Sequence, residues 1–305
     1  MSVNKNKTSQ NRRSQLPVAL VYFGSALLFL LIFGLMAVFL VNRVNELNQP
    51  AQAEKPAPPD AAINMLYLRE NGGKNLADMA IVRISPEKQT VVAIPLTAST
   101  KTDDGQDFKA AYREGIDQLK DSIKDTLGIS VSNYVVIPDS GFDKVVDILG
   151  GVVYTPAEEL YYLTDNDDDD VLFKKAQTVT LYGKQIRELY QYPVFSNGNE
   201  GNLEFMGTIL TTLVSNTFKQ TNITTINIDT MYDYITKDAD TDLTKGVYKD
   251  QKKLIVEMLK KGNIMCKFLI PSGNWDNNML TLSQDFKDQV KQIVEKTEPG
   301  SSQSQ

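Results

Sequence analysis

The sequence has no histidine, one cysteine and one tryptophan in 305 residues. Without an imidazole there is no Ser-His-Asp or Cys-His mechanism. The His₃, His₂Glu and Cys₂His zinc sites are excluded, and so is a Cys₄ cluster. One thiol, Cys266, cannot form a disulfide within the chain; its apolar surroundings in Ile-Met-Cys-Lys-Phe-Leu-Ile predict a buried, inert side chain. Carboxylate, Lys, Arg, Tyr, Ser/Thr and backbone chemistry remain, with oxygen-ligated Mg²⁺, Mn²⁺ or Ca²⁺ as compatible ions. Arginine is scarce beyond residue 60, where only Arg69, Arg83, Arg113 and Arg187 occur.

Charge is also absent, locally, from one long run. Residues 18–41 carry none, and as a helix they would be about 36 Å long, enough for a hydrocarbon core of about 30 Å. Lys5, Lys7, Arg12 and Arg13 precede the run, whereas Arg43 is the one cation close behind it. The positive-inside rule then predicts a cytoplasmic tail at 1–15, an uncleaved transmembrane anchor at 16–42 and an extracellular remainder. A cleaved signal peptide would have a shorter apolar core and a small-residue cleavage site. Residues 43–60 are rich in Pro and Ala and read as a stiff linker. Residues 61–298 read as one extracytoplasmic domain, and 299–305 as a disordered tail. With +4 on residues 1–15 and −1 on residues 16–60, the overall −6 leaves −9 for the rest. So acidic a domain is a poor match for nucleic acid.

Apolar patterning predicts strands at Ile63–Leu68, Asp78–Ser85, Thr90–Pro95, Tyr134–Ile137 and Ile264–Ile270. Helices are predicted over Phe108–Leu127, with Gly128 as the C-cap, and after an N-cap at Asp139 or Ser140, with Phe142, Val145, Val146 and Leu149 inward. Further helices are predicted at Asn202–Thr217, Asp242–Lys261 and Gln284–Glu295. The alternation predicts an α/β fold, a three-layer α-β-α sandwich around a mixed β-sheet. The acidic run Asp165–Asp170 lacks the glycine and terminal glutamate of an EF-hand and reads as a solvated loop.

Several segments, in order, resemble the LytR-CpsA-Psr family of membrane-anchored wall-polymer transferases. The most specific runs from Tyr134 to Tyr154 and contains Val146-Asp147-Ile148-Leu149-Gly150-Gly151-Val152. The paired strands ending in Ile94-Pro95, the Leu181-Tyr182-Gly183-Lys184-Gln185 motif, Thr241-Asp242-Leu243-Thr244 and Leu269–Gly273 support it by their order. The resemblance covers about residues 61–295. It implies a phosphotransferase that moves an anionic glycopolymer from polyprenyl pyrophosphate to peptidoglycan. It also implies a greasy pocket for the carrier and a pyrophosphate held by arginines, acids and Mg²⁺ or Mn²⁺. Arginine suits that task because its planar fork grips phosphate bidentately.

The sequence departs from the family where the charge should be. Ile94-Pro95-Leu96-Thr97-Ala98 stands in place of the family's Ile-Pro-Arg-Asp-Thr. Two later arginine positions fall near Gln191 and Pro193, and a third set falls on Gly201–Thr208, which has no arginine. The early Gly-x-Asp falls near Arg69–Asn71. Asp78 alone matches the acid of the family's Ser-Asp-Thr, as a metal candidate or as a carboxylate that caps a turn. Arg69, Arg83 and Arg113 are the candidate pyrophosphate contacts; Arg187 reads as a helix-surface charge. Val136, Phe142, Val146 and Leu149 are candidates for a lipid pocket, or plain core. No residue is assigned a catalytic role. The expectation is a catalytically degenerate envelope protein of the cell membrane that binds a polyprenyl-linked or wall glycopolymer, or peptidoglycan. The alternative is an active transferase with a relocated basic site built from these arginines and Lys74, Lys101 or Lys109.

Overall fold

The computed structural model describes residues 62–294, apart from 73–74, 164–169, 194 and 219–220 and the side chains of 217 and 221–227. The expected tail, anchor and linker therefore lie outside the described residues, as do Lys74, most of the acidic run and residues 299–305. No helix among the described residues is long and apolar enough to cross a membrane.

The chain opens with three antiparallel strands, β1 (Ile63–Asn71), β2 (Asn75–Ser85) and β3 (Thr90–Leu96). Helices α1 (Phe108–Glu114) and α2 (Ile116–Leu127) follow, then β4 (Asn133–Pro138) and α3 (Asp139–Ile148). Four short strands come next: β5 (Val152–Tyr154), β6 (Leu160–Tyr162), β7 (Val171–Phe173) and β8 (Val179–Leu181). After them lie α4 (Gly183–Tyr190), α5 (Gly198–Phe218), α6 (Thr221–Asp238), β9 (Asp240–Thr241) and α7 (Lys245–Lys261). The chain ends with β10 (Met265–Phe268), β11 (Gly273–Asp276), β12 (Met279–Leu282) and α8 (Gln284–Val294).

Six strands form a central mixed sheet in the order β10-β3-β2-β1-β4-β9. The β1–β4 and β3–β10 pairs are parallel and the others antiparallel. Alternation along β1 sends Tyr67 and Arg69 to one face and Asn64, Leu66 and Leu68 to the other. On the first face the Tyr67 ring meets Phe142 of α3 at 6.2 Å between centroids. On the second, Arg83 reaches the Val294 carbonyl of α8 at 3.4 Å. Helices thus cover both faces, and strand residues such as Leu66, Leu68, Ile81 and Ile94 are fully buried.

Three expectations are corrected. The helix predicted over Phe108–Leu127 is two helices, because Gly115 takes φ 142° and breaks the turn. Asp139 does not cap α3: the N-cap is Pro138, and Asp139 occupies the first turn. Cys266 is half-buried on β10. Helix α6 and the β11–β12 hairpin were not expected at all. The former is rich in Thr and Ile, which weakens a helical reading. The hairpin turns on Asn277 and Asn278, both at positive φ, a recognisable two-residue signal.

Candidate functional site

The site begins with one cross-strand pair. Register places Arg69 of β1 opposite Asp78 of β2, so both side chains share a face of the sheet. The Arg69 Nε donates to Asp78 Oδ2 at 2.5 Å, and Nη2 faces the same oxygen. The Nη1 donates to Asp139 Oδ1. Parallel pairing sets this up: Arg69 lies beside Ile137 of β4, so its side chain reaches the residue that opens α3. The guanidinium is completely buried and stands 5.9 Å from the centre of the Phe142 ring.

Burial pushes the Asp78 carboxyl up to about 6; the Arg69 guanidinium opposes that rise, and the nearby Asp139 adds to it. Burial also raises the Tyr67 and Tyr190 phenols well above their usual value, with the charge of Asp78 acting in the same direction. Both phenols are neutral at any physiological pH, and neither hydroxyl has a hydrogen-bond partner among the described residues. A second pair flanks the first: Arg187 of α4 donates from Nε and Nη2 to the two Asp143 oxygens at 3.1 and 3.2 Å. Arg187 is therefore a clasp between α3 and α4, not the surface charge expected from its sequence position.

Asp78 also faces a cleft of about 290 Å³. Four stretches of chain converge there. The end of β3 and the turn after it bring Leu96, Thr97 and Ser99; the end of α4 brings Tyr190 to Pro193. Helix α5 brings Asn202, Leu203 and Met206, and the β11–β12 hairpin brings Trp275 and Asn278. The first three stretches are those on which the family resemblance places arginines. Here they supply hydroxyls, amides and apolar groups, and among the described residues Asp78 is the one charged side chain lining the cleft.

The remaining sequence candidates lie elsewhere. Arg83 sits on the opposite face of the sheet, donating to Asn64 Oδ1 at 2.7 Å. Arg113 is exposed at the end of α1. Neither lines the cleft, and nor do Lys101 and Lys109. Val136, Phe142 and Val146 are buried and Leu149 half-buried, all within the hydrophobic core and none on the cleft. Phe142 belongs to a chain of rings running through Tyr190, Phe205 and Phe195 to Tyr192, with centroids 4.8–5.8 Å apart.

Two family-like motifs prove to be architectural. In Leu181–Gln185, a Cβ on Gly183 would come 2.2 Å from the Asp143 Cα, so only glycine lets α4 approach α3. The Gln185 Oε1 accepts from the Tyr182 N–H at 3.1 Å and caps the helix. In Thr241–Thr244, Asp242 accepts from Lys120, Asn133 and the Tyr134 N–H, tying the end of the sheet together.

A divalent ion of the kind the resemblance implies does not fit these donors. Asp78 and Asp139 already share a guanidinium, and neutral phenols are poor ligands for a hard cation. No group of three or more acidic or thiol side chains is gathered for a metal among the described residues.

By sequence, residues 69–298 match the LytR_cpsA_psr family. The chain belongs to the LytR-CpsA-Psr family. No curated protein matches it. Among solved structures it is similar to a protein of Eubacterium siraeum described as a transcription regulator, at a TM-score of 0.70 and 16% identity, over 81% of this chain and 96% of that one. It is also similar to TagV of B. subtilis, with a TM-score of 0.61 and 16% identity, covering 78% and 97% of the two chains. The LytR-Csp2A-Psr enzyme of Actinomyces oris gives 0.61 and 14%, covering 81% and 97%. Identities this low speak for a shared LytR-CpsA-Psr fold, and the site must be read from its own residues.

Proposed function

We propose that this LytR-CpsA-Psr protein is a membrane-anchored, extracytoplasmic component of the cell envelope. It binds a polyprenyl-linked or wall glycopolymer and does not transfer phosphoryl groups. The observation that carries this reading is a cleft without a lining cation among the described residues: three of its walls are the segments where arginines are expected, and none bears one. A pyrophosphate held without a guanidinium or ammonium in contact would lose roughly 2–4 kcal/mol per missing donor in the transition state. Amide and hydroxyl groups beside Trp275 and Tyr192 instead suit the hydroxyls and apolar faces of sugars. Support for the ligand class comes from the family and from a related structure, TagT bound to LIIa-WTA, similar at a TM-score of 0.58 and 14% identity. The relocated basic site would need several cations around Asp78, and Arg83, Arg113, Lys101 and Lys109 are all away from the cleft.

The test pairs two assays on the full chain. Purified wall glycopolymer should bind, and Asn202→Ala with Trp275→Ala should weaken binding at least tenfold. Polyprenyl pyrophosphate with Mn²⁺ should not be turned over; turnover abolished by Asp78→Ala would refute the reading. Reporter fusions at the two ends of the chain test the anchor and its orientation.

A further inference from the structure

We infer that the Arg69 guanidinium is a resident cation: it occupies the space between Asp78 and Asp139 that a bound ion would fill, and excludes divalent metal from it. Three observations meet here. Arg69 is fully buried although it is among the largest and most polar side chains in the protein. Its Nε and Nη1 donate to two carboxylates from different elements, 9 and 70 residues away in sequence. Both acids converge on it from the strand β2 and the first turn of α3, the arrangement two oxygen ligands take around an ion.

The charges explain the exclusivity. Two carboxylates held this close repel each other unless a positive charge lies between them. Arg69 supplies that charge covalently, so it is present at every ionic composition of the medium. A divalent ion entering beside it would meet the guanidinium at contact distance, and among the described residues no third carboxylate is gathered there to offset the added charge. Removing the guanidinium would leave two acids and an opening beside the cleft. Metal and Arg69 are therefore alternatives at one place.

The inference does not rest on glycan capture: a failed binding assay would leave the following melting curves unmoved. Four full-length proteins are compared by thermal unfolding with and without Mn²⁺, namely wild type, Asp78→Asn, Arg69→Met and Arg69→Met with Asp78→Asn. Mn²⁺ held elsewhere on this acidic chain shifts all four alike and drops out of the comparison. Wild type and Asp78→Asn should respond equally. Arg69→Met should gain about 5 °C or more in Tm at a hundredfold excess of Mn²⁺ over its Kd, and the double variant should not. A Mn²⁺ response larger in wild type than in Asp78→Asn would overturn the inference, because metal would then bind with Arg69 in place. Equal responses of Arg69→Met and the double variant would also overturn it, since the space would not be a cation site. If Arg69→Met does not fold, Mn²⁺ bound to wild type and to Asp78→Asn is counted by electron paramagnetic resonance. Equal occupancy supports the inference and excess in wild type overturns it.

Discussion

Arg69 joins β1, β2 and α3 at one buried point, so its removal costs more than one hydrogen bond. Arg69→Met strands the buried Asp78 carboxylate beside a partly exposed Asp139, and loss of one partner of a buried pair such as Arg69–Asp78 costs about 3–5 kcal/mol. Urea midpoints should show that loss. Neutralising the acids as well, with Asp78→Asn and Asp139→Asn, should restore most of it, as replacing a whole buried charge set is often neutral. The pH dependence follows from Asp78, whose carboxyl sits at about 6 in the fold against an ordinary value of 3.8. Between about pH 4 and 6 the folded chain holds a proton that the unfolded chain has released. Stability from this group is thus full in acid and falls as pH rises to 6. The gap in urea midpoint between wild type and Asp78→Asn should move against wild type across that window; a constant gap would place the carboxyl at its ordinary value. The sequence singled out both Arg69 and Asp78, but as contacts for an anion and a metal. That they neutralise each other depends on β1–β2 register, which composition does not reveal. Parity was more legible: 78 and 83 are an odd number apart in one strand, so Asp78 and Arg83 had to face opposite ways.

Elements depend here on how closely backbones approach. Helix α4 lies on α3 with no room for a side chain at Gly183. Gly183→Ala should cost about 3 kcal/mol or more, because the added methyl meets backbone atoms that cannot turn aside. Gly246→Ala is the matched control: its Cβ would find only Thr244 Oγ1, at 3.9 Å. That change should stabilise α7 by about 0.4–1 kcal/mol, read in the same denaturation series. The sheet strands were legible because their apolar runs are continuous and flanked by turn residues. Helix α6 was not, since its Thr and Ile residues favour strands and tertiary packing overrides that preference. Gly115 was visible as a residue inside an unbroken apolar period, yet the period alone cannot report a φ of 142°.

At the scale of the whole molecule, the cleft is assembled from segments between residues 77 and 278. No linear motif contains it. The order of family-like segments indicated the fold, and their substituted positions indicated where charge was missing. Only folding shows that those positions meet around one cavity, with Asp78 between them and Arg69 behind it. The remainder of the domain is acidic, so a polyanionic ligand gains no long-range attraction. Glycopolymer affinity should therefore change less than about threefold between 50 and 500 mM NaCl, in contrast to the steep weakening expected when cations grip phosphate. Isothermal titration at the two salt concentrations checks this, and a tenfold loss would imply a basic contact outside the cleft.

The central sheet also ends abruptly on both sides. Strand β9 spans two residues and β10 spans four, with the exposed Lys267 on the latter. An intruding strand needs a long row of unsatisfied amides and carbonyls, and a lysine on the edge discourages docking further. The longest and most apolar strands, β1, β2 and β3, are paired on both sides. Among the described residues, the part best able to seed edge-to-edge aggregation is thereby kept from its neighbours, which matters for the membrane-anchored form proposed above, where copies would share the plane of a membrane at high local density.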